Sequence, residues 1–316
     1  MSELDRRRFL QNFLGGVAAT GMFAGIGGVK PVWAQTLDNR DVPDVLKKPI
    51  PSTGEMIPAV GMGSWITFNV GNDQELRDQC ASVMSAFFAA GGKMIDSSPM
   101  YGSAQDVIGY GLDKLGARGR VFAADKVWTS DDGAAQIAQT TARWDIDRFD
   151  LLQVHNLLDI NDNLPILFEM KDAGKLRYVG VTTSHGRRTD DVIAVMKKEP
   201  LDFVQVTYNP VDRKVEQYLL PLAQERGIGV IVNRPFRGGS LIDRLQGEAL
   251  PGFADEIGAK SWAQVILKFL ISHPGVTCPI PATTQPSHAA ENMAAAKGPL
   301  PDDEMRERIA AMIGLL

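Results

Sequence analysis

From residue 60 onward the chain alternates short apolar runs with longer stretches of helical period, and it does so eight times. Strands are predicted at 60–64, 93–96, 121–126, 149–155, 178–182, 203–208, 229–233 and 276–280. Helices are predicted between them, near 72–90, 103–115, 132–144, 163–173, 188–198, 214–226 and 260–272, with another near 287–296. The first helix shows the logic. Asn72 and Glu75 make a pair resembling a capping box, Leu76, Cys80, Val83, Met84 and Phe87 form one apolar stripe, and Gly91-Gly92 ends it. A strand followed by a helix, repeated, builds a parallel sheet, and eight repeats is the number that closes a (β/α)₈ barrel. An open doubly wound sheet is the rival. The count disfavours it, as does the lack of a G-x-G-x-x-G motif after a strand; Gly61-Met62-Gly63 alone carries no weight.

The ends add three features. Ile50 to Ile57 reads as a small hairpin turning at Thr53-Gly54, and residues 302–314 as a terminal helix outside the barrel. At the N-terminus, Asp5-Arg6-Arg7-Arg8-Phe9-Leu10 leads into 21 uncharged residues, Phe9 to Val29, six of them glycine, and then Val32-Trp33-Ala34. A basic start, a soft apolar run and a small-residue cleavage site are the three regions of a signal peptide. The Arg pair before x-Phe-Leu and the glycine-rich run make the segment resemble a twin-arginine (Tat) signal. The expected organisation is therefore a Tat signal over 1–34, a polar tether over 35–47 and one barrel domain over 48–316. That implies export to the periplasm by the Tat machinery, with membrane contact only through the signal if it stays uncleaved. An uncleaved anchor and a disordered tail are the alternatives.

Composition sets limits on partners. The net charge is -5, from 33 Lys+Arg against 38 Asp+Glu, so nothing invites nucleic acid. Cys80 and Cys278 have neither metal nor disulfide spacing and read as small buried hydrophobes; no metal site is expected.

In such a barrel the chemistry comes from the C-terminal ends of several strands. Asp96 ends the second strand and Tyr101 follows it; Lys126 ends the third and His155 the fourth. A Lys or His facing the core from an apolar strand needs a partner, so four such groups at one rim point to a site. At this point the sequence resembles a known family. Ile95-Asp96-Ser97-Ser98-Pro99-Met100-Tyr101-Gly102, with Ser103, Gln105 and Gly109, is similar to the first signature of the aldo-keto reductases. Asp125-Lys126-Val127-Trp128, Asp150 to His155, Tyr178 to Val181, Ile280 to Thr284 and Ala290-Glu291-Asn292 follow in the family's order, so the resemblance covers about 48 to 316.

The resemblance implies reduction of an aldehyde or ketone by NADPH, with NADH possible. Tyr101 would be the general acid, its pKa lowered by the Lys126 ammonium; Asp96 would hold that ammonium, and His155 would hydrogen-bond the substrate oxygen. Around the cofactor it implies Thr182, Thr183 and Gln205, with Asn209 near, at the nicotinamide carboxamide. Pro235 and Phe236 would contact the cofactor, and Arg237, Gly238, Gly239, Ser240 and Leu241 would form the pyrophosphate loop. Ala282, Thr283, Thr284, His288 and Asn292 would lie at the adenosine phosphate. Two departures stand out. The family's stacking tyrosine is missing from Val232-Asn233-Arg234-Pro235-Phe236, where Phe236 could substitute. No fixed cation stands among Ala282 to His288, so the NADPH preference should be modest and should strengthen in acid as His288 gains charge. Trp65, Met100 and Trp128 are expected to wall the substrate pocket. His185 and Arg187-Arg188 read as solvated. Two other functions fit the barrel: a nicotinamide-binding sensing or regulatory module with little turnover, and a Schiff-base aldolase on Lys126, which the adjacent Asp96 disfavours.

Overall fold

A computed structural model describes residues 44–316. Residues 1–43, which hold the expected signal segment and most of the tether, lie outside the described residues. Eight parallel strands run in sequence order around one sheet: β3 (Met62–Gly63), β4 (Met94–Asp96), β5 (Phe122–Val127), β6 (Leu151–His155), β7 (Tyr178–Thr182), β8 (Phe203–Thr207), β9 (Gly229–Asn233) and β10 (Cys278–Pro279). The ring closes because Gly61 N–H donates to Pro279 O at 2.9 Å and Gly63 N–H to Pro281 O at 3.1 Å. The Gly61-Met62-Gly63 run therefore does carry structural weight. A Cβ on Gly63 would stand 2.8 Å from the Ile280 carbonyl oxygen, too close for the seam to shut.

Strand parity sorts the side chains. Met94, Phe122, Ala124, Leu151, Tyr178, Phe203, Ile231, Cys278 and Ile280 fill the barrel interior together with Ile50 and Ile57. The alternate residues, such as Ile95, Ala123, Val127, Val154, Val181 and Val230, face the helices in the main core. Ile50 and Ile57 come from an antiparallel hairpin, β1 (Lys47–Pro49) with β2 (Met56–Pro58), which turns at Gly54 as expected. Residues 44–47 differ from the expected tether. Val45 is buried and Leu46 N–H bonds Ala296 O at 2.8 Å, so the folded body begins before 48.

The helices are α1 (Gln74–Ala89), α2 (Ala104–Leu115), α3 (Gly133–Trp144), α4 (Ile160–Asp172), α5 (Thr189–Lys198), α6 (Leu219–Arg226), α7 (Ser240–Leu245), α8 (Phe253–Glu256), α9 (Trp262–Ser272), α10 (Pro286–Ala294) and α11 (Asp303–Leu315). The cap of α1 is Asp73 rather than Asn72, because the Asp73 carboxylate reaches Leu76 N–H at 3.1 Å. The helix expected over 214–226 is split into a 3₁₀ turn, Lys214–Glu216, and α6. The small helices α7 and α8 were not foreseen, being too short to show a period. Among the described residues no helix is long and apolar enough to cross a membrane.

Candidate active site

The strand ends at one rim gather the polar groups. Asp96, Lys126, Gln153 and Gln205 are essentially fully buried, and His155 is 5% exposed. All follow the inward parity of their strands; Asp96, Lys126, Gln153 and Gln205 stand two residues above the apolar plug and His155 four above Leu151, so burial and register together force them to one rim. Lys126 Nζ donates to Asp96 Oδ2 and to Ser97 O, both at 2.6 Å. The other Asp96 oxygen accepts from Gln205 Nε2 at 2.9 Å and from Gln153 Nε2 at 3.4 Å. Burial, the largest single influence on Lys126, disfavours its ammonium. Asp96, with help from Tyr101 and Asp125, outweighs burial and pushes the pKa up, so the amine is charged. A permanently charged amine is a poor Schiff-base nucleophile.

Tyr101 ends a 3₁₀ turn, Pro99–Tyr101, capped by the Ser98 hydroxyl on Met100 N–H. Gly102 follows with φ 64, and a Cβ there would meet the Asn69 carboxamide at 2.3 Å, so the turn that delivers Tyr101 admits only glycine next. The Lys126 ammonium lies 5.0 Å from the Tyr101 ring centre, and the His155 ring meets Tyr101 edge-on at 5.8 Å. The tetrad expected from the sequence is thus brought together. The expected lowering of the Tyr101 pKa is not. Burial pushes the phenol above its ordinary value of 10; Lys126 pulls it down, but Asp96 pushes it up again. The physical reason is first the burial of the phenol, and then Asp96, which offsets part of the ammonium's pull. His155 is driven to about 3 by burial and by Lys126, so its ring is neutral.

Reading the sequence missed the support behind Lys126. Asp125 points away from the barrel interior and accepts from Trp144 Nε1 at 2.7 Å, Gln105 Nε2 at 3.0 Å and Lys126 N–H at 2.7 Å. Burial raises it to about 7. Its signal was present in the Asp-Lys pair and in Gln105, nine residues after Asp96, but only the fold shows that they meet.

The rim over β7 to β10 is looser. Thr182 Oγ1 donates to Gln205 Oε1 at 3.2 Å, and Thr183 Oγ1 to Arg187 O at 2.6 Å. Asn233 occupies the last position of β9, donating to Thr183 O at 2.8 Å and accepting from Thr207 Oγ1 at 2.7 Å. Phe236, the expected substitute for the missing stacking tyrosine, is half-buried and packs against the main core. Asn209 is fully buried and braces its own loop, accepting from Val211 and Asp212 N–H. Pro235 and Leu241 are buried, whereas Arg237, Gly238 and Ser240 are exposed. Thr283 is buried and bonds Gln285 N–H; Asn292 is buried, Ala282 and Thr284 are half-buried, and His288 is exposed. Arg188 is not simply solvated: it donates to Asn156 O and Leu157 O, tying the loops after β6 and β7.

Among the described residues, eight of the nine non-glycine residues with positive φ lie in loops that follow barrel strands, among them Ile66, Asn156, His185, Arg234 and Arg237. Such strain concentrates where surrounding structure enforces a site. Residues 237–239 are all left-handed, a tight turn held by Arg237 N–H on Arg234 O at 2.9 Å and Gly239 N–H on Phe236 O at 3.0 Å. Half-buried Arg234 makes no ion pair among the described residues. These arginines fit a dinucleotide's phosphates. Trp65, Met100 and Trp128, at 43%, 46% and 38% exposure, are three of the eight large exposed apolar side chains among the described residues, and all three flank the tetrad's strands. The depression at the opposite end, lined by Thr53, Glu55, Arg177 and Tyr178, is closed by its own hydrogen bonds and ion pairs.

Comparison with known proteins agrees with this architecture. A sequence profile described as the Aldo/keto reductase family matches residues 59–312. Aldo-keto reductase YhdN of Bacillus subtilis (strain 168) is 27% identical over 219 residues, covering 63% of this chain and 64% of its own length. The chain thus spans slightly less than two thirds of that relative. An NADH-specific methylglyoxal reductase of Escherichia coli (strain K12) is 25% identical over 243 residues, covering 66% and 72%. An aldo/keto reductase from Klebsiella pneumoniae, solved with NADP and acetate, superposes with a TM-score of 0.67 at 23% identity, over 82% of this chain and 93% of that one. The bound NADP and the NADH specificity belong to those proteins. With the barrel, the tetrad and a profile match over most of its length, the chain is an oxidoreductase that belongs to the aldo/keto reductase family.

Proposed function

We propose that the protein reduces an aldehyde or ketone to the alcohol with NADPH, and less readily NADH, using Tyr101 as the proton donor. The observation that carries this reading is the buried Lys126–Asp96 pair under the Tyr101 ring with a neutral histidine edge-on to it. The reduced nicotinamide, when bound, supplies a hydride to the carbonyl carbon. Tyr101 then gives its proton to the oxygen, and the phenolate left behind faces the Lys126 ammonium until solvent restores the proton. His155 hydrogen-bonds the same oxygen, and Asp96 keeps the ammonium charged and in place. Thr182, Thr183, Gln205 and Asn233 provide the polar groups for the carboxamide; Arg234 and the 237–241 loop provide those for the pyrophosphate. Trp65, Met100 and Trp128 wall the substrate. A small dicarbonyl such as methylglyoxal is the first substrate to try, given the relative that reduces it.

A sensing module remains a second reading, because Asn233 holds the strand end where an aromatic ring would stack. Following NADPH and NADH oxidation across a carbonyl panel separates the two. Turnover supports the reductase; tight cofactor binding with no turnover on any carbonyl supports the sensor. The Arg6-Arg7 pair and the Val32-Trp33-Ala34 site further support Tat export to the periplasm. Changing both arginines to lysine should hold the precursor in the cytoplasm, and maturation of that variant after Ala34 would count against the route.

A further inference from the structure

Ser98 stands between the two groups that meet the substrate oxygen. Its hydroxyl oxygen accepts Met100 N–H at 3.2 Å and lies 2.8 Å from His155 Nδ1, while its carbonyl accepts Tyr101 N–H at 2.9 Å. Ser98 is 0% exposed, and His155 5%. A serine hydroxyl has one proton to donate and two lone pairs to accept with. Met100 N–H takes one lone pair. If the imidazole carried its proton on Nδ1, it would donate to the other. The Ser98 proton would then need a second acceptor, and none stands within hydrogen-bond distance among the described residues. A buried hydroxyl left without an acceptor disfavours that arrangement by about tenfold or more. If Ser98 instead donates to Nδ1, every group in the chain Met100 N–H, Ser98 O–H, His155 Nδ1 is satisfied. The imidazole proton then resides on Nε2, for which no described residue is an acceptor, on a ring edge-on to Tyr101.

We propose that Ser98 is a positioning residue that fixes His155 as its Nε2–H tautomer, making the ring a neutral donor toward the substrate oxygen beside the Tyr101 hydroxyl. Burial and the Lys126 ammonium independently keep the ring from becoming imidazolium. One side chain then sets both members of the oxyanion site: its oxygen caps the turn that presents Tyr101, and its proton orients the histidine. Only the use of the Nε2–H in turnover rests on the reductase reading; the tautomer itself does not.

Histidine-selective ¹⁵N NMR on the full chain tests the tautomer directly, with His155→Gln identifying its signals among the four histidines. The expected result near neutrality is an unprotonated Nδ1 and a protonated Nε2, retained in Ser98→Thr and replaced by a mixture of tautomers in Ser98→Ala. A protonated Nδ1 in the parent, or an unchanged tautomer in Ser98→Ala, overturns the proposal. Turnover of methylglyoxal with NADPH gives the second arm. Ser98→Ala should lower kcat/KM about tenfold with His155 present, the size of one buried hydrogen bond, but less than about twofold in a His155→Gln background, where an amide donates without a tautomer. Equal losses in both backgrounds mean that Ser98 only caps the turn, and overturn the proposal. No turnover by the parent chain counts against the reductase reading, and the NMR result still decides the tautomer.

Discussion

The loops after β4, β5 and β6 and those after β7, β8 and β9 face each other across one rim, yet they are built differently. On the first side Asp96, Lys126 and His155 are buried, and the Asp96 carboxylate, the Lys126 ammonium and His155 Nδ1 each have a short, defined partner. On the second side the threonines are buried, but Asn233 and Arg234 are half-buried, Arg237 is exposed, the backbone is left-handed at His185, Arg188, Arg234 and Arg237, and Arg234 makes no ion pair among the described residues. The first side is complete as it stands, because groups that must keep a fixed protonation state need low dielectric and fixed partners. The second side has donors and cations left over, as befits a surface that must accept and release a large anion.

The contrast predicts separable losses. The largest is on the first side. Tyr101→Phe should lower kcat by roughly 10²–10⁴ while leaving the affinity for NADPH, measured by fluorescence titration, essentially unchanged. Near-normal turnover would break the assignment of the proton donor. Next comes Lys126→Met, which removes the ammonium and leaves Asp96 buried without its cation. Beyond inactivation, it should reduce unfolding free energy by about 3–5 kcal/mol in denaturant titration; an unchanged stability would mean the pair is better hydrated than its burial shows. Smaller still is Arg234→Ala, on the second side. It should weaken NADPH binding about tenfold, with a shallower dependence on salt, and leave kcat within about twofold. A kcat loss as large as that of Tyr101→Phe would erase the distinction between the two sides.

How far the sequence could be read follows the same division. The tetrad was legible because Asp96, Lys126 and His155 lie at or near the ends of apolar strands at inward parity and Tyr101 follows the first of them, so burial and spacing bring all four to one rim. The barrel was legible from its eight repeats. What escaped depends on contacts between distant segments. Gly61 and Gly63 carry no motif, yet they close the seam against Pro279 and Pro281. Asp125 is one residue from Lys126 but serves the opposite face of the sheet. The direction of the Tyr101 shift escaped because a lone Lys126 would lower the phenol, whereas burial and the neutralising Asp96 together raise it.

The pH dependence of kcat tests the central claim most directly, because it reports which group gives the proton. A general acid must be protonated to work, so activity is lost as pH rises through its pKa. Tyr101 lies above 10 and His155 is neutral down to about 3, so neither should titrate between those limits. With saturating NADPH and carbonyl substrate, kcat should therefore show no ionisation from about pH 6 to about pH 9 and fall only at higher pH, and the Tyr101→Phe residual should lack that alkaline fall. A tenfold loss per pH unit beginning near neutrality would assign the proton to another group and contradict the account.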